Sequence, residues 1–578
     1  MARTYGSLRL TPAGWLLGGI EPHVSIRLKQ LFPRIPKGAV PPYVLPHTDI
    51  LDADLDWFLT RYPLSMAEED RAALTEGRLG FEQDQAEMER ILLPDYQPPA
   101  VLGLQPGQQV RRYQQQAVEL LRRRRSLLLG DEGGLGKTYT AAAFLCAEPS
   151  ALPAAVVCDA HMQAQWREKI EAFTSLRVHL ITRGSPKLPD GRSYDLPPAD
   201  VYVWRISQVA GWADVFAKGL VRSAVFDEPQ SLRTGEHTAK GRAARVLSRN
   251  VGYRLGLTAT PIYNYGAEMW NIMRFIDDEV LGSYDDFARE WCTDTGGKTR
   301  IADPKALGTY LREQHVLLRR LKADVGLELP KVSRIVEHVE HDSKALGSIE
   351  DLAHQLAIRA TTGAFVDRGQ AARDLDLMVR HQTGVAKAPA VAQFVRLLCE
   401  AGERVVLWGW HREVYEVWLQ SFRAAGLAPA LYTGSESPVQ KAAAKTDFEA
   451  GRVNPLIMSL RSGAGIDGLQ HVCSTGVFGE LDWSPGIHQQ CIWRLDREGQ
   501  TQPVTAFFLV TDEGSDPPMM EVLGIKASEA AAIVDPHLGL QQVDGDITNV
   551  RRLVERYLAR KGRPVESALQ AANQNGVT

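Results

Sequence analysis

Leu127-Leu128-Leu129-Gly130-Asp131-Glu132-Gly133-Gly134-Leu135-Gly136-Lys137-Thr138-Tyr139 decides how this chain is read. The three leucines predict a buried strand, the following run is rich in glycine, and Lys137 opens a helical pattern. A strand, a glycine-rich turn and a helix in that order form a phosphate cradle. Its glycines let backbone N–H groups close round phosphate oxygens, a lysine reaches the outer phosphates, and the hydroxyl after it can hold Mg²⁺. The positive end of the helix dipole favours the same anion. Here Gly133, Gly134, Leu135 and Gly136 supply the backbone, Lys137 and Thr138 the side chains, and Tyr139 follows them. Asp131 departs from the strict pattern, which has glycine at that place.

Outward from this loop the pattern repeats. Apolar runs at Ala154–Cys158, Val201–Trp204, Ala224–Phe226 and Tyr253–Leu257 alternate with helical stretches such as Met162–Phe173. Short continuous apolar strands between helices predict a parallel sheet covered on both faces. The pattern restarts after about residue 385, with runs at Val405–Trp408, Pro455–Met458, Thr475–Phe478 and Ala506–Val510. The expected fold class is therefore α/β, with two RecA-like parallel-sheet lobes, helical insertions and a small N-terminal accessory domain. The expected divisions are residues 1–105 (accessory domain), 106–335 (first lobe), 336–385 (helical inter-lobe segment), 386–540 (second lobe) and 541–578 (C-terminal helix and tail). Trp15, Phe32, Trp57, Phe58 and Tyr62 predict a small packed module at the N-terminus, with Pro98-Pro99 and Pro106-Gly107 as a linker. Thr548–Lys561 reads as a basic amphipathic helix.

With 578 residues the chain is too long for one core, and 44% hydrophobic with 24% charged residues excludes a disordered or fibrous class. No run of eighteen apolar residues is present, so no membrane span is expected. The patch Trp15–Ile20 lacks the basic flank and small-residue site of a signal peptide. The formal net charge of −4 means that any nucleic-acid track must be a local basic groove. Six cysteines without a Cys-x-x-Cys spacing suggest neither a metal site nor a disulfide framework. The expected setting is intracellular and reducing: cytoplasmic or nucleoid-associated, or nuclear in a eukaryote.

Val225-Phe226-Asp227-Glu228 ends an apolar strand with two carboxylates. In an open α/β sheet, strand C-termini lie together beside the ligand. Asp227 can then hold Mg²⁺, directly or through water, and Glu228 can orient and deprotonate an attacking water. Phosphoryl transfer needs mainly positioning and charge neutralisation. Alone, Asp-Glu after a strand is a common surface pair; the phosphate loop gives it meaning.

The order of motifs now resembles a family. Tyr113-Gln114 precedes the loop, Gln165-Trp166 follows it, and then come Asp227-Glu228-Pro229-Gln230, Leu257-Thr258-Ala259-Thr260-Pro261 and Leu318-Arg319-Arg320-Leu321-Lys322-Ala323-Asp324-Val325. Glu480-Leu481-Asp482-Trp483-Ser484-Pro485 and the run from Gln490 to Gln500 close the series. Over about residues 106 to 530 this resembles the Swi/Snf-type branch of superfamily-two helicase-like ATPases, in a compact bacterial, phage or annealing-helicase-like form. The resemblance implies an ATP-hydrolysing DNA translocase or remodeller that uses ATP and Mg²⁺. By it, Gln114 reads the adenine, Lys137 and Thr138 bind phosphate and Mg²⁺, Asp227 partners Mg²⁺ and Glu228 is the catalytic base. Thr258-Ala259-Thr260 couples nucleotide state to DNA. Gln490, Arg494 and Arg497 come from the second lobe, with Arg497 as the finger that completes the site and Arg494 beside it. Gln230 stands where the family usually has His, Asp159 where it has Pro, and Trp493 and Asp496 replace a small or acidic residue and a His.

For DNA the resemblance implies sequence-independent contacts from both lobes, to duplex or branched DNA. The candidates are Gln165, Arg167, Arg205, Ser207, Arg319, Lys322, Trp410, His411, Ser459 and Arg461. Arg122–Arg125 reads instead as a solvated helix C-terminus. The N-terminal region is the expected place for a protein partner, and the chain is expected to be a monomer. Two other readings compete: a strand-separating DNA or RNA helicase, and a nucleotide-gated clamp for DNA or protein that does not translocate.

Overall fold

The computed structural model describes residues 3–521 and 523, apart from 33–34, 37, 188–194, 260–266, 295–298, 327–328, 331, 348–352, 354, 357–364, 462–465 and 522. Thr260, Pro261 and the expected C-terminal helix lie outside the described residues.

Two parallel sheets form the body. The first has seven strands in the spatial order Leu317–Leu318, Ser126–Leu129, Tyr253–Leu257, Ser223–Asp227, Ala154–Cys158, Val201–Arg205 and Val178–Leu180. Its pairings all run parallel. Central strands such as Ala154–Cys158 are buried along their whole length, as expected of a sheet covered on both faces. One face carries a core with Leu128, Trp204, Phe226 and Phe275, the other a core with Leu129, Phe144, Trp166 and Val225.

The second sheet has six strands, ordered Val332–His338, Val504–Val510, Thr475–Phe478, Val405–Gly409, Leu456–Ser459 and Ala430–Tyr432, again all parallel. Trp408 stacks on Phe478 at 4.7 Å within one of its two cores, and Trp418 is fully buried in the other. Trp408 is thus interior packing. The edge strand Val332–His338 crosses the expected division at 335/336 and pairs with the second sheet, and the helix Phe365–Glu400 crosses the one at 385/386.

The N-terminal module is a three-stranded antiparallel sheet, Ser7–Thr11, Gly14–Gly18 and Tyr43–Leu45, packed with the helices Pro22–Leu31 and Asp49–Arg61. Trp15, Phe32 and Phe58 are in its core, whereas Trp57 is 61% exposed. Asp52 is buried at its centre; it accepts from Trp15 Nε1 at 2.5 Å and pairs with His47 at 3.0 Å. The helix Glu68–Leu92 starts in this core with Leu74 and ends in the first lobe with Met88 and Ile91. Tyr96, Val101 and Leu104 pack on the same lobe, so the proline-rich stretch read as a linker is laid along the lobe. Apolar packing holds it there despite its turn-forming composition.

Arg122–Arg125 closes the helix Arg112–Arg124 as expected, with Arg123 and Arg125 exposed, and the run is also tied down by local partners. Arg122 pairs with Glu119 and Glu148, Arg123 with Asp84, Arg124 with Asp277, and Arg125 lies over the Tyr253 ring. Among the described residues no helix is long and apolar enough to cross a membrane. All six cysteines are free.

Close glycine contacts set the second lobe's packing. A Cβ on Gly479 would stand 2.5 Å from the buried Trp418 ring and 3.0 Å from Val391. Gly479→Ala is therefore expected to destabilise that lobe by about 1–3 kcal/mol. Calorimetry should show its unfolding midpoint falling by several degrees, and an unchanged midpoint contradicts the packing.

Candidate nucleotide site

The strand Ser126–Leu129 delivers the phosphate loop to the carboxyl edge of the first sheet, and the helix Lys137–Ala147 leads away from it. Gly134 and Gly136 take φ of +92° and +75°, where a side chain is strained. A Cβ on Gly136 would also meet Gln114 Nε2 at 2.6 Å. The helix Arg112–Arg124 clamps the loop: Tyr113 Oη and Gln114 Nε2 both donate to the Leu135 carbonyl, at 3.0 and 3.1 Å. Gln114 Oε1 accepts from Arg111 N at 3.0 Å. Asp131, the departure from the strict pattern, is fully buried and gripped by Arg320, whose Nε and backbone N–H donate to Oδ1 at 3.0 and 3.1 Å. Its carboxylate is an anchor for the loop.

Lys137 Nζ donates to the Asp131 carbonyl at 2.5 Å, and burial pushes its pKa down to about 8. Asp227 and Glu228 stand at the end of the strand Ser223–Asp227. Burial, then the neighbouring Glu228 charge, pushes the Asp227 carboxyl up to about 7, against a hydrogen bond from Trp166 Nε1 to Oδ2 at 2.8 Å. Burial likewise raises the Glu228 carboxyl. Glu228 Oε2 accepts from Thr258 Oγ1 at 3.1 Å and from Gln230 Nε2. Gln230, in place of the family's His, thus joins the acidic motif, and Thr258 ties the coupling segment to the same oxygen. Glu228 has φ +52°, a conformation that non-glycine residues hold only when the surroundings enforce it.

The helix Pro485–Ile492 and the residues after it bring the second lobe onto this loop. Gln490, Trp493, Arg494, Arg497 and Glu498 line a cavity of about 760 Å³. Opposite them are Tyr113, Gln114, the loop from Gly133 to Tyr139, Asp227, Glu228 and Ala259. Every residue expected in catalysis or nucleotide binding meets there. Arg494 is half-buried, desolvation pushes its pKa down to about 10, and it interacts electrostatically with Glu228 across the cleft. Arg497 pairs with Asp467 at 3.2 Å. The Trp493 ring packs so closely on Gly133 that a Cβ there would stand 2.2 Å from it.

Residues 112–372 match the model of the SNF2-related domain. A Caenorhabditis elegans SWI/SNF-related matrix-associated actin-dependent regulator of chromatin subfamily A-like protein 1 homolog is 24% identical over 71% of this chain and 60% of its own length. An uncharacterized ATP-dependent helicase of Mycoplasma pneumoniae is 21% identical over 69% of this chain and 40% of its own. Over residues 112–372 the chain is thus similar to the SNF2-related domain, and its curated relatives include an ATP-dependent helicase. It spans 60% or less of the length of these curated relatives. Among solved structures, a Sulfolobus solfataricus SWI2/SNF2 ATPase core in complex with dsDNA is 18% identical, covering 76% of this chain and 95% of its own, with a TM-score of 0.36.

Several residues of the cavity were not singled out in the sequence. Lys169 lines it from the helix Gln163–Phe173, and Phe173 packs edge-on against Tyr139 at 5.0 Å. Lys169 lies four residues beyond Gln165, on the same helical face, a spacing that could have revealed it. Asp467 lines the cavity from the second lobe.

The expected DNA contacts do not share one environment. Gln165 is partly exposed, and Arg167 and Ser207 are exposed. Arg205 Nε donates to Gln163 at 2.8 Å. Arg461 pairs with Asp482 at 2.8 Å and lies over the partly buried Trp410 at 5.0 Å. Arg319 turns inward and donates to the Gly130 carbonyl at 2.7 Å. His411 Nδ1 lies 2.6 Å from Glu480 Oε1, in a mostly buried pair. Ser459 is buried at a strand end and Lys322 is buried in an ion pair with Asp496. Lys322 and Ser459 are therefore corrected: enclosed side chains do not present themselves to a phosphate backbone.

If Lys137 is the phosphate ligand, it acts in its charged form, which it loses as pH rises through about 8 in the free site. Affinity for Mg²⁺-free ATP should accordingly fall by about tenfold from about pH 7 to about pH 9. Titration calorimetry tests this, and a flat profile contradicts the assignment.

Proposed function

We propose that this chain is a SNF2-related ATPase that converts ATP hydrolysis at the inter-lobe cleft into sequence-independent movement along DNA, duplex or branched. The observation that carries the reading is the cleft itself, with Lys137, Asp227 and Glu228 facing Gln490, Arg494 and Arg497 across a single cavity. A nucleotide bound between them draws the lobes together, and loss of the γ-phosphate lets them part. Alternation of that kind can drive a motor.

In this reading Lys137 neutralises the outer phosphates, and Glu228 orients the attacking water and takes its proton. Arg494 and Arg497 stabilise the charge that builds on the transferring phosphoryl, a contribution worth about 10³–10⁵ in rate when an arginine finger supplies it. The donor set suits Mg²⁺. Thr138 and Asp227 both line the cavity, Trp166 orients the Asp227 carboxylate, and Mg²⁺ takes one or two protein ligands with phosphates and waters. When bound, it supplies charge neutralisation between the β and γ phosphates. Glu228 is held by Gln230 and Thr258, so a change at the γ-phosphate is transmitted to the Thr258-Ala259 segment. Gln165, Arg167, Arg205, Ser207 and Arg461 are the side chains best exposed for phosphate contacts.

Phosphate release measured with and without duplex DNA tests the proposal. Duplex DNA should raise turnover by about 10- to 100-fold, with binding that weakens as salt rises. Lys137→Ala and Glu228→Gln should each lower turnover by about 100-fold or more, with Glu228→Gln still binding ATP. No stimulation by any nucleic acid contradicts a DNA motor, and an active Glu228→Gln contradicts the assigned base.

A further inference from the structure

The segment that carries Arg494 and Arg497 is fastened to the phosphate loop by a contact that the proposed chemistry has not used. Lys322 follows the edge strand Leu317–Leu318 of the first sheet. Its Nζ reaches across the seam to the carbonyl and to Oδ2 of Asp496, both at 2.7 Å. Both residues are 6% exposed. Lys322 is also tied to the loop, because its backbone N–H donates to Glu132 Oε2 at 2.9 Å. Gly134 lies against both partners of the seam: a Cβ there would stand 3.2 Å from Arg497 Cβ and 3.5 Å from Lys322 Cε.

Asp496 sits between the two arginines in the chain, and its backbone N–H donates to Ile492 O, the last residue of the helix Pro485–Ile492. A rigid path thus runs from the phosphate loop through Glu132, Lys322 and Asp496 to Arg494 and Arg497. A buried ion pair adds little net stability, because desolvation offsets the attraction. Its directional demands do fix geometry, and loss of one partner leaves an unpaired buried charge. A second inter-lobe ion pair, Arg111–Glu498, is half-exposed and weak by comparison.

We propose that Lys322 and Asp496 form a positioning pair for phosphoryl transfer, setting the register of Arg494 and Arg497 over the γ-phosphate. This rests on the cleft being the ATP-hydrolysing site. The pair touches no substrate; it acts through the arginines. A misplacement of about 1 Å in a catalytic group can lower a rate about 100-fold, so kcat is the sensitive quantity and ATP binding, which the phosphate loop anchors, is much less so.

The test is steady-state ATP hydrolysis by the full chain with Mg²⁺ and saturating duplex DNA, together with melting midpoints. D496N and K322M should each lower kcat by about 10- to 100-fold, with KM within about threefold of wild type. The double variant K322M/D496N should be no slower than either single, the signature of residues acting as a unit. D496E, which keeps the charge, should recover most of the lost kcat and guards against a folding defect in D496N. Wild-type kcat in both single variants overturns the proposal, as does a double-variant loss equal to the product of the single losses. D496E as slow as D496N, with a wild-type melting midpoint, overturns it too. A wild-type chain that hydrolyses no ATP sinks the underlying reading instead.

Discussion

A half-buried ammonium that shares one cavity with two half-buried carboxylates is the constraint on which this molecule turns. Lys137, Asp227 and Glu228 are enclosed at one sheet edge, and burial displaces the Lys137 and Asp227 pKa values toward neutrality from opposite sides. Charges in that setting are expensive unless a partner completes them. Trp166, Gln230 and Thr258 satisfy part of the demand, through hydrogen bonds to the carboxylates. What they leave suits a polyanion with its divalent cation. The fold spends its most regular elements on holding this arrangement: a fully buried strand on either side, a helix that clamps the loop through Leu135, and Arg320 locking Asp131.

The second lobe completes the site by presenting Arg494 and Arg497, and also by occupying the loop's outer surface. Trp493 rests on Gly133, Arg497 on Gly134, and Asp496 accepts Lys322. Asp131, Gln230, Trp493 and Asp496 are four of the positions that depart from the usual pattern. Each is in contact with the loop, the acidic pair or the seam. Asp131 has its own counterion in Arg320, and Asp496 has one in Lys322, so the departures come with compensating partners.

Much of this was legible in the residues. Buried parallel strands announce themselves as continuous apolar runs, and the central ones in both lobes fell where those runs lie. The short edge strands Val178–Leu180, Leu317–Leu318 and Ala430–Tyr432 carry too few residues to show a period, and Val332–His338 mixes polar and apolar residues with no continuous apolar run. The nucleotide-facing residues were visible because phosphate chemistry demands fixed types at fixed spacing. The DNA-facing ones were not, because any exposed polar residue fits that demand. Lys322 and Ser459 illustrate the difference: each is chemically suited to a phosphate, and each is enclosed by neighbours that only the tertiary fold supplies. The basic run Arg122–Arg125 ends its helix as expected, but its ion-pair partners were not legible. Its acidic partners Asp84, Glu148 and Asp277 are scattered along the chain and converge only in the folded lobe.

The central claim is that one nucleotide is held by both lobes at once. The most direct measurement is a crystal structure of the chain with ADP, Mg²⁺ and aluminium fluoride, which together mimic the transferring phosphoryl group. The account predicts guanidinium nitrogens of Arg494 or Arg497 within hydrogen-bond distance of the fluoride, with Lys137 on the opposite side and a water held by Glu228 in line. A complex in which the first lobe alone binds the nucleotide, with both arginines turned away from it, would contradict the account.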